Sequence, residues 1–316
     1  MSVFEIIGSR LTPIKEKRID LEKDLQLLTE KNLRMIFDLD FVSGSLNREF
    51  CVRTAQQDFY IDTLAFDPQV NAFVIIEYKK DKNFSVIDQG YAYLAAMLNN
   101  KAEFILEFIE RKETLKKPNI DWRQSKVIFV SPEFTGYQRS AIAFKSLPIE
   151  LWKVTMYQNN TIYYEQIKAP TAKESFDKIA PKGPETTRVA KEIKPYTLDE
   201  IFARYKTSNQ IRDLLNKIRA EISSLGDDFD EAIGKWTVIY RKQFKTFAYI
   251  YPKPKEVYGE LRLSEIKMPS RVGYKRKVKE TDVFKIAFRI DTEDDLSDAV
   301  NLVRQAYENL NLELRS

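Results

Sequence analysis

Two carboxylates and a lysine occur at a spacing that could assemble a hydrolytic site. Asp62 falls in the strand-like segment 58–66, while Glu77 and Lys79 fall in the next such segment, 72–79, after a turn-rich loop. If these segments close as a symmetric hairpin, Asp62 faces Glu77, and period-two alternation puts Lys79 on the same side of the sheet. Facing carboxylates repel each other unless they share a proton or bind a cation. The pattern therefore predicts a Mg²⁺ or Mn²⁺ site that hydrolyses phosphodiester bonds, with Lys79 orienting or deprotonating water or offsetting charge.

A simpler interpretation of the same three residues stays open. Glu77 and Lys79 could form an ordinary ion pair at a sheet edge, with Asp62 exposed to solvent. A register shift of one residue would also separate Asp62 from Glu77, because it would move Asp62 to the other face.

The composition restricts which catalytic groups and metal ligands are available. The 316-residue chain has no histidine and one cysteine, which excludes imidazole bases, histidine-ligated zinc, disulfide frameworks and cysteine-rich zinc sites. Any metal must therefore be held by oxygen. The formal charge of +4 permits a nucleic-acid partner without requiring one, so affinity would depend on local clusters of lysine and arginine.

The elements around the three residues predict an α/β (α+β) fold, a mixed sheet flanked by helices. An amphipathic helix is predicted over 18–37. Its apolar face is formed by Leu21, Leu25, Leu28, Asn32, Met35 and Ile36. A second helix is predicted to begin at Ser85, and further strands are predicted near 126–130 and 150–157.

The composition along the chain indicates two domains. The first, 1–168, contains the carboxylate hairpin, and the second, 196–316, is a smaller α+β domain. Residues 169–195 are rich in proline, lysine and glutamate without an apolar period, which predicts an extended linker. Because no signal core or membrane-length apolar run occurs, we expect a cytoplasmic protein without a membrane partner.

The order of these residues resembles the PD-(D/E)XK nuclease superfamily, in which an aspartate on one strand precedes a (D/E)-X-K triplet on the next. Glu77-Tyr78-Lys79 matches the triplet and Asp62 the preceding aspartate, although Ile61 stands where the proline of the motif would be. The resemblance implies a restriction-endonuclease-like fold with Asp62, Glu77 and Lys79 as catalytic residues. It also implies a Mg²⁺ or Mn²⁺ ion held by Asp62, Glu77 and the backbone carbonyl of Tyr78.

Further positions extend this resemblance over about residues 15–130. Gln89 and Tyr93 are similar to the Q-x3-Y element of the RecB-like branch, although a core-facing tyrosine beside a chance glutamine would give the same pair. The pattern from Glu22 to Leu33 resembles the start of the archaeal-type mismatch endonuclease domain. The superfamily often adds a glutamate from this helix to the metal site. We choose Glu22 because Glu30 lies opposite the predicted apolar face; a solvated helix charge is the alternative.

The second domain resembles a small uncharacterised domain that recurs at the C-terminus of such nuclease-like chains. That domain is sometimes catalogued as part of a predicted transport protein, but no span or pore-forming segment in this sequence supports transport. One basic segment could neutralise phosphates and stack a base, although such runs are also common in solvated loops. Its residues are Arg271, Tyr274, Lys275, Arg276, Lys277 and Lys279.

The sequence thus favours a Mg²⁺- or Mn²⁺-dependent deoxyribonuclease whose C-terminal domain binds substrate, a protein partner or a second copy of the chain. The alternative is a catalytically silent nuclease-fold protein that binds nucleic acid or serves as an adaptor. The choice between DNA and RNA, and between endonuclease and exonuclease action, stays open.

Overall fold

A computed structural model describes residues 3–19, 21–54, 57–80, 85–113, 118–142, 147–167, 184–243 and 245–313. It divides the chain into two compact units, Met1–Lys194 and Pro195–Ser316. Both units combine helices with antiparallel or mixed sheets. The mixed α and β class predicted from the sequence is therefore confirmed.

The first unit is built on a seven-stranded mixed sheet with the order β11-β10-β9-β8-β7-β4, and β3 also pairs with β10. Strand β9 runs parallel to both of its neighbours, and the other pairings are antiparallel. Two separate hairpins, β1-β2 and β5-β6, complete the strands. The strands are β1 Val3–Ile7, β2 Arg10–Ile14, β3 Glu16–Lys17, β4 Asp40–Ser43, β5 Phe50–Arg53, β6 Asp58–Ile61, β7 Thr63–Asp67, β8 Ala72–Tyr78, β9 Lys126–Ser131, β10 Ile149–Tyr157 and β11 Ile162–Gln166.

The helices of the first unit are α1 Glu22–Lys31, α2 Leu33–Phe37, α3 Val86–Asn99, α4 Lys101–Arg111, α5 Gly136–Ala141 and α6 Pro184–Glu192. Helix α6 lies in the second half of the predicted linker 169–195. Val189 is fully buried and Ile193 is 4% exposed in the core of the first unit. The linker prediction is therefore wrong for this stretch, and residues 168–183 lie outside the described residues.

The central hairpin has the register predicted from the sequence. Phe66 pairs with Phe73 and Leu64 pairs with Ile75. All seven residues of β8 are buried, as expected for an apolar strand between two neighbours in a covered sheet. The predicted strand 58–66 is interrupted, however: β6 ends before Asp62, which forms a bend, and β7 begins after it.

The predicted helix 18–37 divides at Asn32 into α1 and α2, and its predicted apolar face is largely wrong. Leu21, Leu28 and Met35 are 58%, 37% and 75% exposed. The buried face instead contains several polar side chains; its residues are Leu25, Gln26, Thr29, Glu30, Leu33 and Phe37. Burial of these polar groups is tolerated because they are hydrogen-bonded: Thr29 Oγ1 donates to the Leu25 carbonyl at 2.8 Å, and the bonds of Gln26 and Glu30 are described below.

Helix α3 begins as predicted, with the Ser85 hydroxyl accepting a hydrogen bond from the Asp88 backbone N–H. Gly90 lets the helix approach the sheet closely, because a Cβ there would lie 2.5 Å from Ile149 Cδ1. This close packing holds α3 against β9 and β10 of the central sheet.

The second unit contains a six-stranded antiparallel sheet with the order β12-β13-β14-β15-β17-β16. Helices α8 and α9 share a hydrophobic core with one face of this sheet. Among the described residues, no helix is long and apolar enough to cross a bilayer. The elements are α7 Leu198–Tyr205, α8 Asn209–Ser223, β12 Asp230–Ile233, β13 Val238–Lys242, β14 Lys245–Pro252, β15 Val257–Leu261, β16 Gly273–Lys275, β17 Ile286–Ile290 and α9 Leu296–Glu313.

Candidate active site

Asp62 occupies the bend between β6 and β7, one position beyond the last residue pair of the central hairpin, Thr63 with Ile76. Its Oδ2 accepts a hydrogen bond of 3.0 Å from the Tyr78 backbone N–H. Burial, and then the nearby Glu77 carboxylate, raise the pKa of Asp62 to about 7. The bend therefore places a carboxyl group whose ionisation is disfavoured near Glu77, as the predicted hairpin required.

Glu77 is the most buried of the three charged residues Asp62, Glu77 and Lys79, with 3% of the residue exposed. Its Oε1 accepts hydrogen bonds from Lys79 Nζ at 2.6 Å and Gln89 Nε2 at 3.3 Å. Its Oε2 is buried and accepts no hydrogen bond of ordinary geometry among the described residues, although the nearby Tyr93 hydroxyl stabilises the ionised carboxylate. Burial raises the pKa of Glu77 despite the opposing effect of Lys79. An oxygen in this state is short of an electropositive partner.

Lys79 follows the end of β8 and is held at the backbone by a 2.9 Å hydrogen bond from its N–H to the Val130 carbonyl. Its side chain is 22% exposed, and its ammonium group lies 2.6 Å from the buried Glu77 carboxylate. Lys79 is thus the more exposed partner of this ion pair.

Gln89 and Tyr93 come from α3, one turn apart on the same face. Besides the bond from Gln89 to Glu77, the Tyr93 hydroxyl donates to the Tyr60 carbonyl at 3.2 Å. Burial and the neighbouring Glu77 carboxylate raise the pKa of Tyr93. Both side chains therefore contact the site residues rather than serving only as core packing.

Glu22 begins α1, and its Oε2 accepts a 2.8 Å hydrogen bond from the Lys80 backbone N–H. Its charge adds to the effects that raise the pKa of Asp62 and of Glu77. The structure therefore brings Glu22 to the same end of the sheet. Glu30, the other glutamate considered, lies in a separate buried network.

That network was missed by the sequence analysis and positions the Asp62 bend. Gln26 Nε2 donates to the Asp62 carbonyl at 2.7 Å and to Glu30 Oε1 at 3.0 Å. Thr63 Oγ1 donates to the same carboxylate at 2.6 Å. Gly44 is required nearby because a Cβ there would collide with the Glu30 carboxylate and lie 2.8 Å from the Asp62 carbonyl oxygen. The available signal was the Gln26/Glu30 pair at a spacing of four residues, beside Leu25.

The oxygen donors fit the divalent metal that the sequence resemblance implies. The site offers two carboxylates and has no nitrogen or sulfur ligand, and Glu77 Oε2 accepts no hydrogen bond of ordinary geometry among the described residues. The N–H of Tyr78 donates to Asp62, and the C=O of a strand residue points to the same neighbouring strand as its N–H, so the Tyr78 carbonyl lies on the Asp62 side of β8. Mg²⁺ takes one or two carboxylates and retains several waters. No cluster of three or more histidine, cysteine or acidic side chains suited to a metal occurs within the described part of the chain. The candidate site therefore offers a metal few protein ligands: the two carboxylates and the Tyr78 carbonyl.

The basic segment of the second unit is partly used in internal contacts. Arg271 Nη2 lies 3.2 Å from Asp295, and Arg276 Nη2 lies 2.8 Å from Glu260. The Tyr274 hydroxyl accepts a 2.9 Å hydrogen bond from Arg289. The remaining members, Lys275, Lys277 and Lys279, are exposed.

No protein-family model matches the chain, and no solved structure matches it. A protein of Haemophilus influenzae, described only as an uncharacterized protein, is 37% identical over 243 residues, which cover 77% of each chain. At this identity and coverage, the chain belongs to the same family as the H. influenzae protein.

Proposed function

We propose that the first unit is a Mg²⁺- or Mn²⁺-dependent nuclease that hydrolyses phosphodiester bonds, with DNA as the favoured substrate. The observation that carries this proposal is the buried Oε2 of Glu77, which accepts no hydrogen bond of ordinary geometry among the described residues, next to a second carboxylate of raised pKa and a lysine. Burying two carboxylates without full compensation costs stability, which is understandable where they bind a cation.

The metal, held by Asp62, Glu77 and the Tyr78 carbonyl, would polarise the scissile phosphate and lower the pKa of a bound water. The ammonium group of Lys79 lies beside Glu77, where it can orient that water and offset negative charge on the phosphate.

Neighbouring side chains hold the two carboxylates in place. Gln89 donates to Glu77, and the Tyr78 backbone N–H donates to Asp62. Gln26 fixes the backbone of the Asp62 bend through its carbonyl oxygen. Such supporting hydrogen bonds orient metal ligands and influence the affinity for the metal.

Cleavage assays test the proposal directly. Purified wild-type protein is incubated with single-stranded and duplex DNA and RNA in Mn²⁺ or in EDTA, beside Asp62→Asn and Glu77→Gln. We expect cleavage only with metal, reduced about 100-fold or more in both variants. Asp58→Asn is the matched control, because Asp58 is an exposed aspartate at the start of β6. Equal cleavage by Glu77→Gln and wild type would contradict the proposal.

The second candidate function is a nuclease-fold protein that binds nucleic acid, or acts as an adaptor, without turnover. It is favoured by the 2.6 Å ion pair between Lys79 and Glu77, which already compensates one carboxylate oxygen. Thermal unfolding separates the two functions, since a ligand that binds the folded state raises the melting temperature. A metal-binding enzyme is stabilised by Mn²⁺ in the wild type and not in Asp62→Asn; a silent protein is unaffected in both.

A further inference from the structure

The six-stranded sheet of the second unit has two faces of different chemistry. On one face, Ala248, Ile250 and Phe288 join residues of α8 and α9 in the hydrophobic core. The strand register puts aromatic and charged side chains on the opposite face, in two adjacent cross-strand rows. These rows, together called the tyrosine face, are Tyr249, Glu260, Ala287 and Tyr274, and then Tyr251, Tyr258 and Arg289.

The tyrosine face carries a continuous strip of rings and one planar cation. The ring centroids of Tyr251 and Tyr258 lie 5.6 Å apart. The Arg289 guanidinium lies 5.5 Å from the Tyr258 ring and 5.9 Å from the Tyr274 ring. Tyr274 and Arg289 are both exposed. Tyr274 and Arg289 therefore offer flat surfaces to solvent, since guanidinium groups stack as rings do, whereas Tyr249 is buried and Tyr251 and Tyr258 are partly buried.

Glu260 fixes these rings from within the sheet. Its carboxylate accepts hydrogen bonds from the Tyr258 hydroxyl at 2.9 Å and the Tyr251 hydroxyl at 3.3 Å. Arg276 compensates its charge through a 2.8 Å ion pair. The rings are thus ordered before any ligand arrives, which reduces the entropy lost on binding.

The rim of the tyrosine face is positively charged. Lys253 Nζ lies 4.0 Å above the Tyr258 ring, and the Arg289 side chain is 55% exposed. Glu256 approaches both cations only at 3.6 and 3.8 Å. Residues 271–285, which include β16 at the edge of the sheet, contain six basic and two acidic residues. The face therefore combines stacking surfaces with an excess of positive charge.

We propose that the tyrosine face binds single-stranded nucleic acid, with bases stacked on Tyr274 and on the Arg289 guanidinium that Tyr258 supports, and with phosphates neutralised by Arg289 and Lys253. Stacking platforms in a basic groove are the general requirement for holding unpaired strands. A duplex does not satisfy it, because its base faces are already stacked. The exposed groups of this face are aromatic or cationic rather than aliphatic, which favours a nucleic acid over a protein partner. The choice of nucleic acid as ligand rests on the function proposed for the first unit.

Fluorescence anisotropy of the full chain in EDTA tests this inference without cleavage. The probes are labelled oligothymidylate and oligouridylate of about 20 nucleotides, and a DNA duplex of the same length. We expect Tyr274→Ala and Tyr258→Ala to weaken single-strand binding about tenfold, and Tyr274→Phe to retain binding because the ring is kept. Arg289→Ala should also lower the salt dependence by about one ion. Tyr163→Ala, at a tyrosine of the first unit that is 45% exposed, is the control.

Two results would overturn the inference: wild-type binding by both Tyr274→Ala and Arg289→Ala, which are at exposed positions and should leave the fold intact, or equal binding of duplex and single strands. Failure of the proposed function has a different signature. Metal-dependent cleavage that is lost in Asp62→Asn establishes the nuclease whatever the titrations give. Binding that is lost in Tyr274→Ala establishes the tyrosine face even if no substrate is cut.

Discussion

Glu30 and Glu77 are two glutamates of the first unit with the same exposed fraction, 3%, in opposite surroundings. The Glu30 carboxylate accepts hydrogen bonds from two backbone N–H groups, a hydroxyl and a side-chain amide. Glu77 has two donors on one oxygen and none, among the described residues, on the other. A buried carboxylate with both oxygens satisfied stabilises the fold, whereas an unsatisfied one costs stability and is available to a ligand.

The largest effect on stability is expected at Glu30. Glu30→Ala should lower the free energy of unfolding by about 3–5 kcal/mol, because it leaves several buried donors without an acceptor. Urea denaturation of wild type and variant measures the change. Glu110→Ala, at an exposed glutamate of α4, should shift the midpoint little. A Glu30→Ala variant as stable as the wild type would show that the hydrogen bonds of Glu30 do not stabilise the fold.

A smaller loss is expected from crowding the same network. Gly44→Ala introduces a Cβ against the Glu30 carboxylate and 2.8 Å from the Asp62 carbonyl oxygen, so the bend must shift. We expect a destabilisation of about 2–3 kcal/mol in chemical denaturation, with a loss of metal-dependent cleavage. Gly136→Ala is the matched control because a Cβ there meets no atom within 4 Å. Equal effects of the two substitutions would show that Gly44 does not position the bend.

The central hairpin of the first unit was predictable from local information. The apolar run of β8 and the loop before it set the register, and the pairs Phe66 with Phe73 and Leu64 with Ile75 followed. Helix α6 was not predictable in the same way. Among residues 187–195, Val189 and Ile193 are the deeply buried ones, and two apolar residues in a polar, proline-containing segment do not reveal a packed helix.

The candidate site was predictable only where reactive residue types occur at the period-two spacing that puts side chains on one face of a hairpin. The spacing of Asp62, Glu77 and Lys79 on a hairpin was sufficient to bring them together. The helical wheel failed at Glu30, because the Thr63 hydroxyl that stabilises its burial comes from a distant strand. Periodicity describes apolar faces and does not detect a polar residue buried by such long-range partners.

The stability cost of the carboxylates around Glu77 can be measured through Asp62, because the raised pKa of Asp62 makes the free energy of unfolding depend on pH. Its pKa of about 7 in the folded chain exceeds the ordinary value of about 3.9. Between these values the folded chain binds more protons than the unfolded chain, so the free energy of unfolding falls as pH rises. In EDTA, wild type should lose about 1–3 kcal/mol relative to Asp62→Asn between about pH 4 and pH 7.

Thermal or urea unfolding at several pH values measures this difference. The asparagine oxygen can still accept the Tyr78 N–H, so the variant isolates the charge. Asp58→Asn, at an exposed position, should follow the wild-type profile. If the free energy of unfolding changed with pH in the same way for wild type and Asp62→Asn, ionisation of Asp62 would not destabilise the folded chain.

The smallest effect on stability is expected at Gln89, whose 3.3 Å hydrogen bond to Glu77 is weak. Gln89→Ala should change the free energy of unfolding by less than about 1 kcal/mol, yet raise the metal concentration needed for cleavage about tenfold, because Glu77 loses a group that orients it. Gln210→Ala removes a comparable bond, 3.0 Å to the Asp291 carbonyl, at an exposed position near the start of α8 in the second unit and should leave the metal requirement unchanged. If both variants changed the requirement equally, or neither did, Gln89 would have no specific role in orienting Glu77. A selective change at Gln89 would show that the partly satisfied carboxylate is held in position for a ligand, which is the property that Glu30 lacks.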